Sequence, residues 1–343
     1  MPVKNPFLVY SSEINKLFVK AKTQKNPALW LYTNNARVSF FMIESLCRIF
    51  DNGLNNPWFA HWHKTFKKLE DSLGQIDFYD AFIKEYSVNK KLSPDVIYYL
   101  QTKREKALKK FEKRISKENY LNLGLKNFET EFKKQNIKFD AATITKIERV
   151  IKTELTAIKQ FASYNNYTYS YLEDHVHELR RKLRWIGIYS QSLQGIIKLT
   201  DSKQNYSWKK KYLTKEILQS PFNNIPLNKF EKYIEVEKNH FYALNWIIRE
   251  LGILKDRGLK TEIFSKAIRK TEKIEKEQAL KKAHLLLGIK QSETDVLKKA
   301  SLVSKEFFDK NNISEGLLYQ PSDSVKFKKI PPTFKEAFKR TKK

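Results

Sequence analysis

From Thr168 to Leu199 the chain runs without a proline, and its two glycines, Gly187 and Gly195, are widely spaced. The stretch is long enough for about eight or nine helical turns. At about 100° per residue, Leu172, Val176, Leu179, Leu183, Ile186, Leu193 and Ile197 fall on one side. His177, Arg180, Arg181 and Arg184 fall within roughly 60–100° of arc on the other. This pattern predicts one long amphipathic helix, with one face for a core and the other for an anion.

Residues three, four and seven apart on a helix stand over one another, so an imidazole and three guanidiniums converge on a single strip. Arginine forks suit bidentate binding of phosphate oxygens and stay charged at any physiological pH. His177 adds a donor, and Glu173, one turn earlier, is placed to hold its ring through an i,i+4 hydrogen bond. A solvated face laced with salt bridges is the ordinary alternative. Against it, the only carboxylate between positions 177 and 184 is Glu178, which projects about 100° away. Repulsion among the arginines is then uncompensated, which suggests an external counter-ion.

Charge supports the same direction. Lys and Arg number 66 against 38 Asp and Glu, a formal net charge of +28 over 343 residues. Such an excess favours an anionic partner: nucleic acid, polyphosphate or an acidic membrane surface. With 41% hydrophobic and 13% aromatic residues there is ample material for a core, so the chain is not disordered as a whole. Cys47, the only cysteine, sits in an apolar setting and reads as core packing. It cannot form an intrachain disulfide, which favours a reducing compartment. The N-terminus lacks the apolar region of a secretory signal and no stretch approaches a membrane span, so a soluble, cytoplasmic protein is expected.

Helix signals dominate along the chain. Residues 1–27 read as an N-terminal extension with a helix over Ser11–Lys22, capped by Ser11 or Ser12. Residues 28–115 hold helices over Ala28–Phe50, from Pro57 to Leu73-Gly74, and from Ser93-Pro94 to Arg114. Lys64, Lys67 and Lys68 mark one face of the second. A stripe of Lys103, Lys106, Lys110, Lys113 and Arg114 on the third reads as a solvated face. Residues 116–142 are polar, a linker with a short helix. Residues 143–288 comprise a helix over Thr143–Tyr164, broken by Asn165-Asn166, then the long basic helix, a turn-rich loop, and helices over Asn228–Lys255 and Leu259–Gly288. A last helix, Gln291–Asp309, lies within 289–325. The tail, residues 326–343, carries eight basic residues against one acid and reads as a disordered arm.

Two helices close on the same words. Leu73-Gly74 and Leu251-Gly252 each follow an apolar helix, with Asp77 and Asp80 after the first and Asp256 after the second. Glycine there fits a left-handed helix end. Leu73-Gly74 follows Asn34-Asn35-Ala36-Arg37-Val38 by about 40 residues, and Leu251-Gly252 follows His177-Glu178-Leu179-Arg180-Arg181 by about 75. This order resembles the CHAD family, the conserved-histidine α-helical domains, whose repeats carry His-x-x-Arg-x-x-x-Arg and then a helix ending in Leu-Gly with a nearby Asp. His177, Arg180, Arg184, Leu251, Gly252 and Asp256 match; in the first half Arg37 and Val38 match, while Asn34 replaces the histidine and Phe41 and Met42 replace basic residues. The resemblance covers roughly residues 28–260. It implies an all-α compact bundle of two related halves that binds inorganic polyphosphate and has no chemistry of its own. Binding is carried over to His177, Arg180, Arg184 and Arg37; helical geometry adds Arg181, and Lys64, Lys67 and Lys68 are possible supports.

Other chemistries lack their signatures. His175 and His177 point about 200° apart on a helix and cannot share an ion, and the His61/His63 pair fails likewise, so no metal is expected. Phosphate-cradling glycine loops are absent, as is a nucleophile with a general base at recognisable spacing. Acidic pairs such as Glu70/Asp71 and Asp77/Asp80 suit capping or ion pairing. The expectation is therefore a non-catalytic protein without cofactor that binds inorganic polyphosphate or another polyanion. RNA or DNA binding is the alternative, with Tyr206, Trp208 and Tyr212 interleaved among lysines for stacking. A third is a scaffold that docks an acidic protein. The oligomeric state stays open.

Overall fold

In a computed structural model the described residues are 5–54, 56–87, 92–288 and 292–317. The described residues are all-α apart from one short strand pair. Helices α1 (Pro6–Lys22), α2 (Pro27–Thr33), α3 (Ala36–Leu54), α4 (Pro57–Tyr86) and α5 (Pro94–Lys117) come first. Two short helices, α6 (Tyr120–Leu123) and α7 (Lys126–Lys134), lead to α8 (Ala141–Ser163). A π-helical turn (Leu172–His177) runs directly into α9 (Glu178–Ser192). Strand β1 (Ile197–Thr200) pairs in parallel with β2 (Ile234–Glu237), Ile197 opposite Ile234. Between them lie α10 (Lys209–Tyr212) and α11 (Lys215–Leu218), and after them α12 (Lys238–Glu272), α13 (Lys276–Leu287), α14 (Glu293–Lys305) and α15 (Ile313–Gly316).

Side-chain caps fix where several helices begin. Asn5, rather than Ser11 or Ser12, accepts from the Phe7 amide at 3.0 Å and starts α1 one and a half turns early; Ser11 is buried. Asn56 accepts from the Trp58 amide at 2.9 Å with Pro57 following, and Asp140 accepts from the Thr143 amide at 2.8 Å. Each satisfies a donor that the helix itself leaves open. The segment expected as one helix over Ala28–Phe50 is two, α2 and α3, because Asn35 turns left-handed at φ 58°. Asparagine tolerates that conformation better than other side chains. Asn165 and Asn166 do the same beyond α8, as their position in the sequence suggested.

One expectation fails in an informative way. Neither Leu73-Gly74 nor Leu251-Gly252 ends a helix: α4 runs a further 12 residues to Tyr86, and α12 a further 20 to Glu272. Apolar residues past each glycine, Phe82 and Ile83 on α4 and Phe264 and Ile268 on α12, meet Leu100 of α5 and Ala279 of α13 in a second hydrophobic core. Burial of these side chains outweighs the roughly 1 kcal/mol that a mid-helix glycine costs. The main core is separate and draws on both parts of the chain, from Phe7, Phe40, Phe59 and Phe128 to Leu183, Tyr189 and Phe241. Phe128 and Phe132 of α7 anchor the polar segment 116–142 in it.

The long basic helix is also shorter than expected. Residues Thr168–Tyr171 are not helical, and helical backbone spans Leu172–Ser192 before β1 begins at Ile197. The expected helices Asn228–Lys255 and Leu259–Gly288 become β2, α12 and α13, since the backbone of Ile234 bonds to Ile196 at 2.8 Å and Glu237 caps α12 through the His240 amide. The basic tail, residues 326–343, lies outside the described residues.

Candidate functional site: a cationic groove

Helix α3 packs against α4 and α9, and α4 packs against α5. Between these four helices opens a groove of about 890 Å³. Ten lysines and arginines and two histidines line it against four carboxylates. His177, Arg180, Arg181, Arg184, Arg37 and Lys67 all face it, whereas Lys64 and Lys68 do not line it. Lys64 and Lys68 are thereby removed as supports of this groove; Lys68 turns to the opposite side of α4.

The four residues of the strip differ in how far the protein itself neutralises them. His177 Nδ1 lies 2.8 Å from Glu173, the i,i+4 contact its spacing implies. Arg181 is paired with Glu178 at 2.5 Å, and Lys182 lies 3.3 Å from the same carboxylate. The sequence reading that Glu178 points clear of the strip is thus wrong for Arg181, because a three-residue reach along the helix brings a long side chain back over it. Arg180 and Arg184, in contrast, have no carboxylate within ion-pair distance among the described residues. Arg180 Nε donates to the carbonyl of Ile248 at 3.2 Å, and Arg184 lies over the Phe41 ring at 4.4 Å.

Both are half-buried, and burial pulls both below the ordinary arginine value. Arg184 is brought down to about 10, by burial first and then by repulsion from Arg180 and Arg37 against the pull of Glu70 and Glu44. Two crowded cations with no ion-pair partner among the described residues are costly to the fold alone, and a bound anion would relieve that cost.

Arg37 occupies a comparable place on α3 with a different outcome. Its Nε donates to Glu70 at 2.7 Å and its Nη1 to Asp77 at 2.7 Å. Its charge is met twice, so it contributes to the groove mainly as a fixed wall. Glu70, Asp71, Asp77 and Asp80 all work in ion pairs: Asp71 with Lys67 at 2.8 Å, Asp80 with Lys84 and Arg104 at 2.7 and 3.0 Å.

Beneath the groove Arg48 Nε donates to the Tyr189 hydroxyl at 2.8 Å, and that hydroxyl donates to Glu154 at 2.9 Å. This chain ties α3, α9 and α8 together. Glu44 is buried with Oε1 4.0 Å from His63 and Oε2 without a hydrogen-bond partner. Burial, reinforced by Glu70, pushes its carboxyl up to about 8.

Lys103, Lys106 and Lys110 of α5 also line the groove and form no ion pair among the described residues. The sequence carries them as a regular stripe, yet only the packing of α5 against α4 turns that stripe toward the arginines. Other candidates fall away. His175 Nδ1 accepts from the Ser170 amide at 2.9 Å, so this imidazole caps a backbone turn. No cluster of three potential metal ligands occurs among the described residues. Trp208 and Tyr212 are buried, which closes them to base stacking, and the half-buried Tyr206 stacks on Trp208 with ring centres 4.7 Å apart beside His240. Cys47 is fully buried. No helix among the described residues is long and apolar enough to cross a membrane. Compared with protein-family models, curated proteins and solved structures, the chain matches none.

Proposed function

We propose that this is a non-catalytic, cytoplasmic polyanion-binding protein of the CHAD type, and that its ligand is inorganic polyphosphate. The observation that carries the reading is the pair Arg180 and Arg184: two half-buried guanidiniums in a cation-rich groove with no carboxylate of their own. Arg184 and Arg180 bind successive phosphates, and His177, its Nδ1 held by Glu173, turns its other ring nitrogen toward the phosphate chain. Lys103, Lys106 and Lys110 supply the facing charge. Of the four large aromatic rings that line the groove, Phe41 is covered by the Arg184 and Arg37 guanidiniums and Trp185 by Arg48, while Phe78 and Tyr79 meet edge-on. A bare phosphate chain needs no ring, and this favours polyphosphate over RNA or DNA.

The test is competition. Long-chain polyphosphate is titrated against labelled single-stranded RNA at several salt concentrations, with the parent and with Arg180→Ala/Arg184→Ala. Polyphosphate should bind more tightly per phosphate, and the double variant should lose most of that advantage. RNA binding that survives excess polyphosphate, or a double variant that binds like the parent, would sink the reading.

A further inference from the structure

On the far side of α4 from the groove lies a second recess of about 620 Å³, and its cations come from the same helix, α5. Lys110 lines both spaces; Lys113, Arg114 and Lys117 line only the second, together with Lys68 of α4. Positions 103, 106, 110, 113 and 117 are spaced three and four apart, so five lysines form one straight stripe along about 21 Å of helix. A solvated stripe is normally interleaved with Glu or Asp one turn away. Here no carboxylate stands three or four residues from any of the five, and none of the five forms an ion pair among the described residues. Arg114 is fixed by donating to the Lys68 carbonyl, which holds α5 against α4 at this point. Of the carboxylates in the recess, Glu131 is engaged by the indole N–H groups of Trp58 at 2.7 Å and Trp62 at 3.1 Å, and Glu118, next to Lys117, caps the C-terminal end of α5.

We infer that the anion site does not end at the groove: a linear polyphosphate held by Arg180 and Arg184 continues along the Lys103–Lys117 stripe into the second recess, so that affinity depends on chain length. The inference rests on the groove reading above and adds to it a second site and a direction. Short chains fill the groove alone; chains long enough to reach Lys113 and Lys117 gain contacts that the short ones lack.

Binding of tripolyphosphate and of polyphosphate of about 60 units is measured with the full chain at several salt concentrations, for the parent and for Lys68→Ala/Lys113→Ala/Lys117→Ala. The exposed lysines leave the fold intact, which circular dichroism checks. The triple variant should bind tripolyphosphate like the parent and the long chain about tenfold more weakly, with a salt slope shallower by about 2. Unchanged long-chain affinity overturns the continuation while leaving the groove reading standing, and an equal loss for both ligands overturns it too. A parent that binds neither ligand overturns the groove reading itself, and the continuation with it.

Discussion

Arg180 crosses the backbone of Gly252 so closely that a Cβ there would lie 2.8 Å from its Nε. Arg37 treats Gly74 the same way, with Nη2 at 2.7 Å from the corresponding point. In each case the Nε partner lies four residues before the glycine, on the adjacent turn: the Glu70 carboxylate for Arg37, the Ile248 carbonyl for Arg180. The glycines therefore make room for a guanidinium rather than stop a helix. A carboxylate cancels the charge it holds, whereas a carbonyl orients the guanidinium and leaves its charge for a ligand.

Gly252→Ala should leave stability within about 1 kcal/mol of the parent, since alanine's helix propensity offsets the displacement of a flexible side chain. Polyphosphate affinity should nevertheless fall several-fold, because Arg180 is pushed off Ile248. Gly74→Ala should change affinity less. Denaturant titration and binding isotherms of both variants check this, and equal losses of affinity would contradict the division of roles between Arg37 and Arg180.

Arg184 is held at the expense of the fold. Arg184→Met keeps contact with Phe41 and removes the repulsion from Arg180 and Arg37, so the ligand-free protein should gain about 1–2 kcal/mol. Polyphosphate should raise the melting temperature of the parent by mass action and that of the variant much less. Thermal melts with and without polyphosphate measure both effects.

Glu44 links stability to pH. Its carboxyl, ordinarily near 4.5, sits at about 8 in the fold because of burial and Glu70, so the folded state keeps a proton that the unfolded chain gives up. Its contribution is fully present below pH 4.5 and declines as pH rises to about 8, by at most about 1.4 kcal/mol per unit. Glu44→Gln should flatten this decline. Urea denaturation at about pH 5 and about pH 9 measures it, and parallel curves for parent and variant would refute the assignment.

Tyr189→Phe removes the hydroxyl that joins Arg48 to Glu154 across α3, α9 and α8. The remaining Arg48–Glu154 contact, at 3.5 Å, is too long to replace it. Stability should drop by about 1–3 kcal/mol, read by denaturant titration, with polyphosphate affinity little changed.

Local spacing in the sequence determined much of this protein: the all-α class, the apolar faces, the break at Asn165-Asn166, and the convergence of His177, Arg180, Arg181 and Arg184 on one face, though not the break at Asn35. It also marked Gly74 and Gly252 as related to the arginines before them, though as helix ends. Helix period and turn chemistry are properties of neighbouring residues, which is why they could be read. Only the tertiary structure decided which cations stay uncompensated, because the partners come from afar: Glu70 and Asp77 to Arg37, the Ile248 carbonyl to Arg180, and to Arg184 the Phe41 ring but no carboxylate among the described residues. It likewise turned Lys103, Lys106 and Lys110 from an outer face into a groove wall, since a helix stripe has no direction until another helix packs beside it.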